Sequence, residues 1–233
     1  MSYNFLSLVN DLHAEVNEIP LTEENFNSTE SHFTHSKRAI NSALRQINQS
    51  AFEWPFNHVT AREDLIEGQA RYFTPTDAKS VNYDSFRVWD GFTSRRLVQG
   101  DYEEYLQNYS IADFEGEKYT GFPTKVYRSP DFQYILYPTP MEGMEVIYEY
   151  YSLPVDLKNP EDVPYVPEQF RHVIITGALS DIYKFRGDLE ASSFQLQEFK
   201  QAIKDMRMVY QNRYEFVRSS YIPRSRSSGR FVR

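Results

Sequence analysis

Apolar residues follow three successive spacing patterns along the chain. Phe5, Val9, Leu12, Val16 and Ile19 step by 4, 3, 4 and 3, which places them on one face of a helix ended by Pro20. After the polar stretch LTEENFNSTE, Phe33, Ile40, Leu44 and Ile47 mark one side of a second helix. Ser28 or Thr29 is its expected N-cap, and it stops before Pro55. Together the two predict a helical hairpin.

The spacing then changes from threes and fours to alternation. SFRVWDGFTSRRLV carries Asp90-Gly91 between alternating segments, a hairpin signal. TKVYRSPDFQYILYPTP predicts a second hairpin around Ser129-Pro130-Asp131, with Phe132, Tyr134 and Leu136 on one sheet face. EVIYEYY supplies a further strand after the turn at Pro140 to Gly143, and DYEEYLQNY between the two sets reads as a short helix. Residues 52–151 hold 22 of the 37 aromatics, in keeping with half-buried pleated surfaces.

Helical spacing returns after Pro167-Glu168, a favourable helix start. Phe170, Val173, Ile174, Ala178, Leu179 and Ile182 share one stripe, and Gly187-Asp188 breaks the run. Leu196, Phe199, Ile203, Met206, Tyr210 and Val217 form the next. Neither terminal hairpin can bury its stripe alone, so the two are expected to pack on each other. The expected fold is α+β: a four-helix base from residues 1–51 and 167–217, a central antiparallel β-rich module at 52–166, and an extended basic tail at 218–233.

Charge sharpens the last boundary. The chain is formally −8, yet RSSYIPRSRSSGRFVR, residues 218–233, has five arginines and no acid, so the preceding body carries −13 (−8 minus +5). An acidic body argues against generic DNA binding. The thread has three readings: a disordered solubilising tail, a DNA-contacting arm, or a peptide that orders in a groove on another protein. Scattered apolar residues among the arginines favour the third, with guanidinium forks for carboxylates and Tyr221, Ile222, Phe231 and Val232 as anchors. The first residues show no basic leader or cleavage pattern, so no secretory signal is expected, and no apolar run is long enough to span a membrane.

Candidate chemistry is sparse. Cys is absent, which excludes disulfides, thiolate metal sites and cysteine nucleophiles. His32 and His35 have a spacing that can share a metal, but no HExxH or carboxylate partner completes a set; His13, His58 and His172 are isolated and read as structural. Glu23-Glu24 and Glu103-Glu104 are adjacent in sequence and so point apart. There is no GxSxG, P-loop or GxGxxG. No enzyme activity and no cofactor are expected. The aromatic strands leave one alternative open, a stacking platform for sugar or single-stranded nucleic acid.

Several stretches in combination resemble the head-to-tail adaptors of tailed, short-tailed bacteriophages, the tail tubular protein A-like and tail accessory factor family. RAINSALRQINQSAFEWPFN is similar to their helix followed by a Trp-x-Phe-Asn step, here Trp54, Pro55, Phe56 and Asn57. GFPTKVYRSPDFQYILYPTP with VIYEYYSLPVDL resembles their central strands, and DVPYVPEQFRHVIITGALSDIYKFRGD their C-terminal helical pair. The likeness covers about residues 1–217. It implies a structural virion protein of the head-tail connector, made in the host cytoplasm. Such proteins form a ring of twelve beneath the portal protein, extend the channel for double-stranded DNA, which passes without specific binding, and carry the tail nozzle and fibre proteins. The resemblance implies no membrane and no cofactor. Some relatives are linked to peptidoglycan cleavage, so the alternative function is a peptidoglycan- or sugar-acting tail factor using the aromatic strands.

Residues 218–233 lie outside the likeness. Their chemistry alone gives the expectation that they dock on the portal through Arg218, Tyr221, Ile222, Arg224, Arg226, Arg230, Phe231 and Arg233. An acidic lumen wall would let DNA slide, while the basic thread would grip.

Overall fold

The computed structural model of the chain describes residues 3–28, 30–50, 52–109 and 119–211. Among the described residues, five α-helices and eight strands form a mixed α+β fold with two sheets. Val217 and the basic thread, with all eight of its proposed docking residues, lie outside the described residues.

Helix α1 (Phe5–Glu15) opens on a capping box. The Asn4 side chain accepts from the Ser7 backbone N–H at 2.9 Å, and Ser7 Oγ accepts from the Asn4 N–H at 3.0 Å. Phe5, Leu8, Val9 and Leu12 are buried. The helix stops four residues short of the end expected at Ile19: Val16 is its C-cap and Asn17 turns the chain at φ 57°. Ile19, placed on the apolar face by spacing, is 73 % exposed. Its carbonyl is used instead, 2.8 Å from His13 Nδ1.

Helix α2 (Ser31–Gln49) buries Phe33, Ile40, Leu44 and Ile47 as the spacing requires. Its N-cap is Glu30, with no side-chain capping bond, so Ser28 does not cap it; Thr29 lies outside the described residues. Helix α4 (Arg171–Arg186) follows a 3-10 turn at Glu168–Phe170 and is buried over most of residues 173–182, because α1, α2 and α5 all pack on it. A Cβ on Gly177 would sit 2.7 Å from the Phe199 ring and 2.9 Å from Ala43 Cβ, so α2 and α5 press on α4 at one level. Gly187 ends α4 at φ 84°, and Asp188 caps α5 (Leu189–Tyr210) by accepting from Ala191 N at 3.0 Å. One apolar cluster joins α1, α2, α4 and α5.

The strands are β1 (His58–Asp64), β2 (Arg71–Phe73), β3 (Ala78–Trp89), β4 (Ser94–Arg96), β5 (Val98–Gly100), β6 (Lys125–Arg128), β7 (Gln133–Tyr137) and β8 (Glu145–Ser152). They pair as β1-β8-β3-β4 and β2-β7-β6-β5. The hairpins at Asp90-Gly91 and Ser129-Pro130-Asp131 both form. The expectation of a purely antiparallel module is corrected at one edge, where β5 and β6 run parallel, Val98 opposite Lys125. The long connection between them contains α3 (Tyr102–Asn108), room enough for the crossover that a parallel pair needs. Phe132 does not share the sheet face of Tyr134 and Leu136; it sits in the turn at φ 59° and is 82 % exposed.

Strand β8 alternates perfectly, with Val146, Tyr148, Tyr150 and Ser152 inward. Val146, Tyr148 and Tyr150 meet Tyr72, Val126, Tyr134 and Leu136 of the other sheet in a second core. On the far side of that second sheet, α3 lays Tyr105 on Tyr127 with centroids 5.4 Å apart.

Helices and sheets are tied at several points. Trp54 is fully buried among Phe52, Phe56 and Tyr210 and donates Nε1–H to the Ile47 carbonyl at 2.8 Å. The Lys79 ammonium, from β3, donates to the carbonyls of Asn48, Ser50 and Phe52 around the C-terminal end of α2. Burial holds the Lys79 pKa below its ordinary value, with Glu53 opposing and Arg207 adding to the drop. Beyond β8, Asn41 of α2 reads the backbone of Leu157 twice, donating to its carbonyl at 3.0 Å and accepting from its N–H at 2.9 Å. Phe5 N–H donates to the Asp162 carbonyl at 2.8 Å, so residues 157–162 lie strapped across the helices.

His13 is the buried titratable group of this helical core. It lies at zero exposure, with Ile19 O on Nδ1 and Ser36 Oγ on Nε2 at 2.9 Å. Burial lowers its pKa; the bond to Ile19 and the charge of Glu18 oppose this, and His32 adds to it. Because the folded pKa is below the unfolded value of 6.5, the unfolded chain takes up the proton first. Stability from this group is therefore complete above about pH 6.5 and is lost as pH falls through the lower folded pKa. Thermal melts taken downward from neutral pH should show a fall in midpoint that is shallower in His13→Gln; equal slopes in both proteins would refute the assignment.

Candidate assembly surface

The chemistry weighed from the sequence is distributed over the fold rather than gathered. Among the described residues no group of three or more His, Asp or Glu is placed to hold a metal ion. His32 lies against Phe33 and His35 stacks on Phe185, each with centroids 4.0 Å apart. Glu104 binds Lys125 at 2.6 Å, a bond that raises the lysine pKa, while Glu103 is exposed beside it. The central sheet tyrosines face inward. Tyr134 and Tyr148 are wholly buried and both donate to the Glu63 carboxylate, at 2.7 and 2.5 Å. Burial first, and then these bonds to an anion, push both phenol pKa values far up. Such rings hold the sheets together and offer no face to a sugar or a base.

What remains accessible is apolar surface at the ends and sides of the fold. Strand β1 leaves the helices at His58, so the end of the sheets farthest from the helices carries Asp64, Trp89 and Glu145, which are in register. There Phe92, at the tip of the β3–β4 hairpin, is 98 % exposed. Ile66 and Met141 are exposed on neighbouring loops joined by Gly68 N–H to Pro140 O at 3.0 Å. At the helix-facing end, Phe73 and Phe132 project together, since Thr74 donates to the Phe132 carbonyl through both N–H (3.0 Å) and Oγ1–H (2.9 Å).

Two open grooves among the described residues lie beside α4. One, of about 640 Å³, lies between α2 and α4 and is lined by Arg38, Ser42, Arg45 and Lys184 with Asp156 and Asp181. The other, of about 450 Å³, runs between the start of α4 and α5, with Glu198, Asp205, Ala202 and Val209 on the α5 side and Phe170 below. Helix α5 packs on α4 and buries only Phe199 and Met206 fully, so much of its 22-residue length faces outward.

Arg38, Arg45, Glu198 and Asp205 belong to none of the patterns read from the sequence. Their seven-residue spacing was visible, but which side of the molecule each pair occupies depends on the packing around α4.

Comparison with known families gives one match: the family model for the SU10 adaptor protein covers residues 3–224. No curated protein matches the chain. A match over nearly the whole length takes in both helical ends and every strand, so the chain belongs to the SU10 adaptor family, structural adaptor proteins of phage virions.

Proposed function

We propose that this adaptor forms a ring between the portal and the tail, extends the DNA channel, and presents its sheet end to the nozzle and fibres. The family match over residues 3–224 carries this reading. The tail tubular protein A-like resemblance supplies its finer parts: twelve copies, a portal above, a nozzle below, no catalytic activity and no cofactor. The exposed Phe92, Ile66 and Met141 at the sheet end are suited to the nozzle side. The acidic body suits a wall past which DNA slides.

The basic thread supplies the grip in this proposal. Five arginines without an acid, interspersed with Tyr221, Ile222 and Phe231, have the composition of a peptide that docks in an acidic, partly apolar groove on the portal. Mass photometry of the full chain mixed with its portal ring should saturate at a fixed whole number of copies. A chain ending at Val217 should stay unbound while its circular dichroism and thermal midpoint match the full chain. Equal loading of the truncated chain would remove the thread from the mechanism. No loading of the full chain at any salt concentration would remove the adaptor reading itself.

A further inference from the structure

Two edges of the helical layer match each other in charge and spacing. On α2, Arg38 and Arg45 are exposed seven residues apart, with the small Ser42 between them. On α5, Glu198 and Asp205 are exposed seven residues apart, with the small Ala202 between them. Seven residues of helix rise about 10.5 Å and make nearly two turns, so each pair lies on one stripe with the same separation. In both stripes the small residue follows the first charge by four positions. A cationic edge and an anionic edge of equal pitch, each with a low point between its charges, are complementary surfaces for two helices lying side by side.

The two edges cannot meet within one chain. α2 and α5 both pack on α4, and the grooves beside them take in His172 and Asp181 of that helix. Those residues are nine apart, about two and a half turns, so they leave α4 on opposite sides. Each molecule therefore carries its cationic edge on one flank and its anionic edge on the other. That is the arrangement a heterologous contact needs in order to repeat around a ring.

The charges concerned are largely free to be used. Among the described residues Arg38 and Lys184 have no ion-pair partner, and Glu198 has none either. Arg45 lies 3.4 Å from Asp156 in an exposed pair and donates Nε–H to the Asn41 carbonyl at 3.3 Å, and Asp205 accepts from Gln201 at 2.9 Å. Asp156 and Asp181 offset part of the cationic groove, yet within a chain of formal charge −8 it is a place where three cations gather. Val209 continues the α5 stripe and Phe185 the groove, which supplies apolar contact beside the charges.

We infer that neighbouring copies bind through these edges, the Glu198–Ala202–Asp205 stripe of one molecule lying along the Arg38–Ser42–Arg45 stripe of the next. The inference rests on the ring reading above and names the contact that makes the ring. Guanidinium forks suit carboxylates better than lysines would, and the pairing should weaken as salt is added.

A charge exchange in the full chain tests it. One variant carries Arg38→Glu with Arg45→Glu, the other Glu198→Arg with Asp205→Arg. Native mass spectrometry and mass photometry at low salt should show the wild-type chain associating, and each variant alone weakened by more than about tenfold, because like charges then face each other. An equimolar mixture should recover association with the two variants in one-to-one ratio, since each then meets its opposite on both flanks. Recovery also shows that both variants are folded. Either variant alone associating as the wild type does would overturn the inference, as would a mixture no better than its components. A wild-type chain that stays monomeric at low salt would overturn it too. The portal-mixing experiment judges the adaptor reading separately, since a ring held by other surfaces would still load there.

Discussion

Trp54→Ala should lower the free energy of unfolding by about 3–5 kcal/mol, a large part of the roughly 5–15 kcal/mol that holds a domain of this kind folded. The indole is fully buried, stacks on Phe56 at 5.5 Å, and meets Phe52 and Tyr210 edge to face. Removing it leaves a cavity where α2 ends, β1 begins and α5 packs, and three aromatic neighbours cannot collapse into it together. Trp54→Phe separates the two contributions. It keeps a ring in the site but loses the bond to the Ile47 carbonyl, for a smaller cost of about 1–2 kcal/mol. Guanidinium unfolding followed by circular dichroism reads both. A Trp54→Ala cost below that of Trp54→Phe would show that packing at this joint matters less than its single hydrogen bond.

Glu63→Ala should be nearly as damaging, by about 3 kcal/mol, for a different reason. Its carboxylate leaves β1 and takes hydrogen bonds from Tyr148 of its own sheet and Tyr134 of the other. Alanine leaves both phenols buried without an acceptor, and an orphaned buried hydroxyl costs about 1–3 kcal/mol. Two further changes isolate the cause. Tyr134→Phe with Tyr148→Phe in the Glu63→Ala background removes the orphaned hydroxyls, so a substantial part of the lost stability should return. If the triple variant is no more stable than Glu63→Ala, the cost lies in packing and not in unsatisfied polar groups.

Local chemistry made much of the fold legible. The helices α2, α4 and α5 are written in threes and fours, the break at Gly187-Asp188 combines a left-handed residue with a capping carboxylate, and Asp90-Gly91 marks its hairpin. What was missed depends on contacts between distant residues. α1 has apolar spacing through Ile19, but the chain turns at Asn17, leaving the Ile19 carbonyl beside His13. The parallel pairing of β5 and β6 and the place of β8 between β1 and β3 leave no trace in alternation, which reports a face and never a neighbour. Leu157 to Asp162 has no periodic pattern at all, and its position is held by Asn41, one of three buried polar residues on α2 with Ser36 and Asn48. The same limit applied to the assembly surface. Arg38, Arg45, Glu198 and Asp205 acquire their meaning only once α4 stands between the two edges.

That central place of α4, and of β8 in its sheet, governs how the protein is made. A ribosome delivers α1, α2, β1 and β3 first, with their apolar faces ready and their partners still unsynthesised. The first sheet cannot close until residues 145–152 emerge, and the helical cluster must wait for Phe199 and Met206. Contacts of such long sequence separation fold slowly, and strand edges left open in the interval invite sticking between chains. Nascent copies translated side by side on one message are therefore at their most vulnerable before their last helix is complete. Slower synthesis or more chaperone should raise the yield of folded protein more than any change to its finished surface.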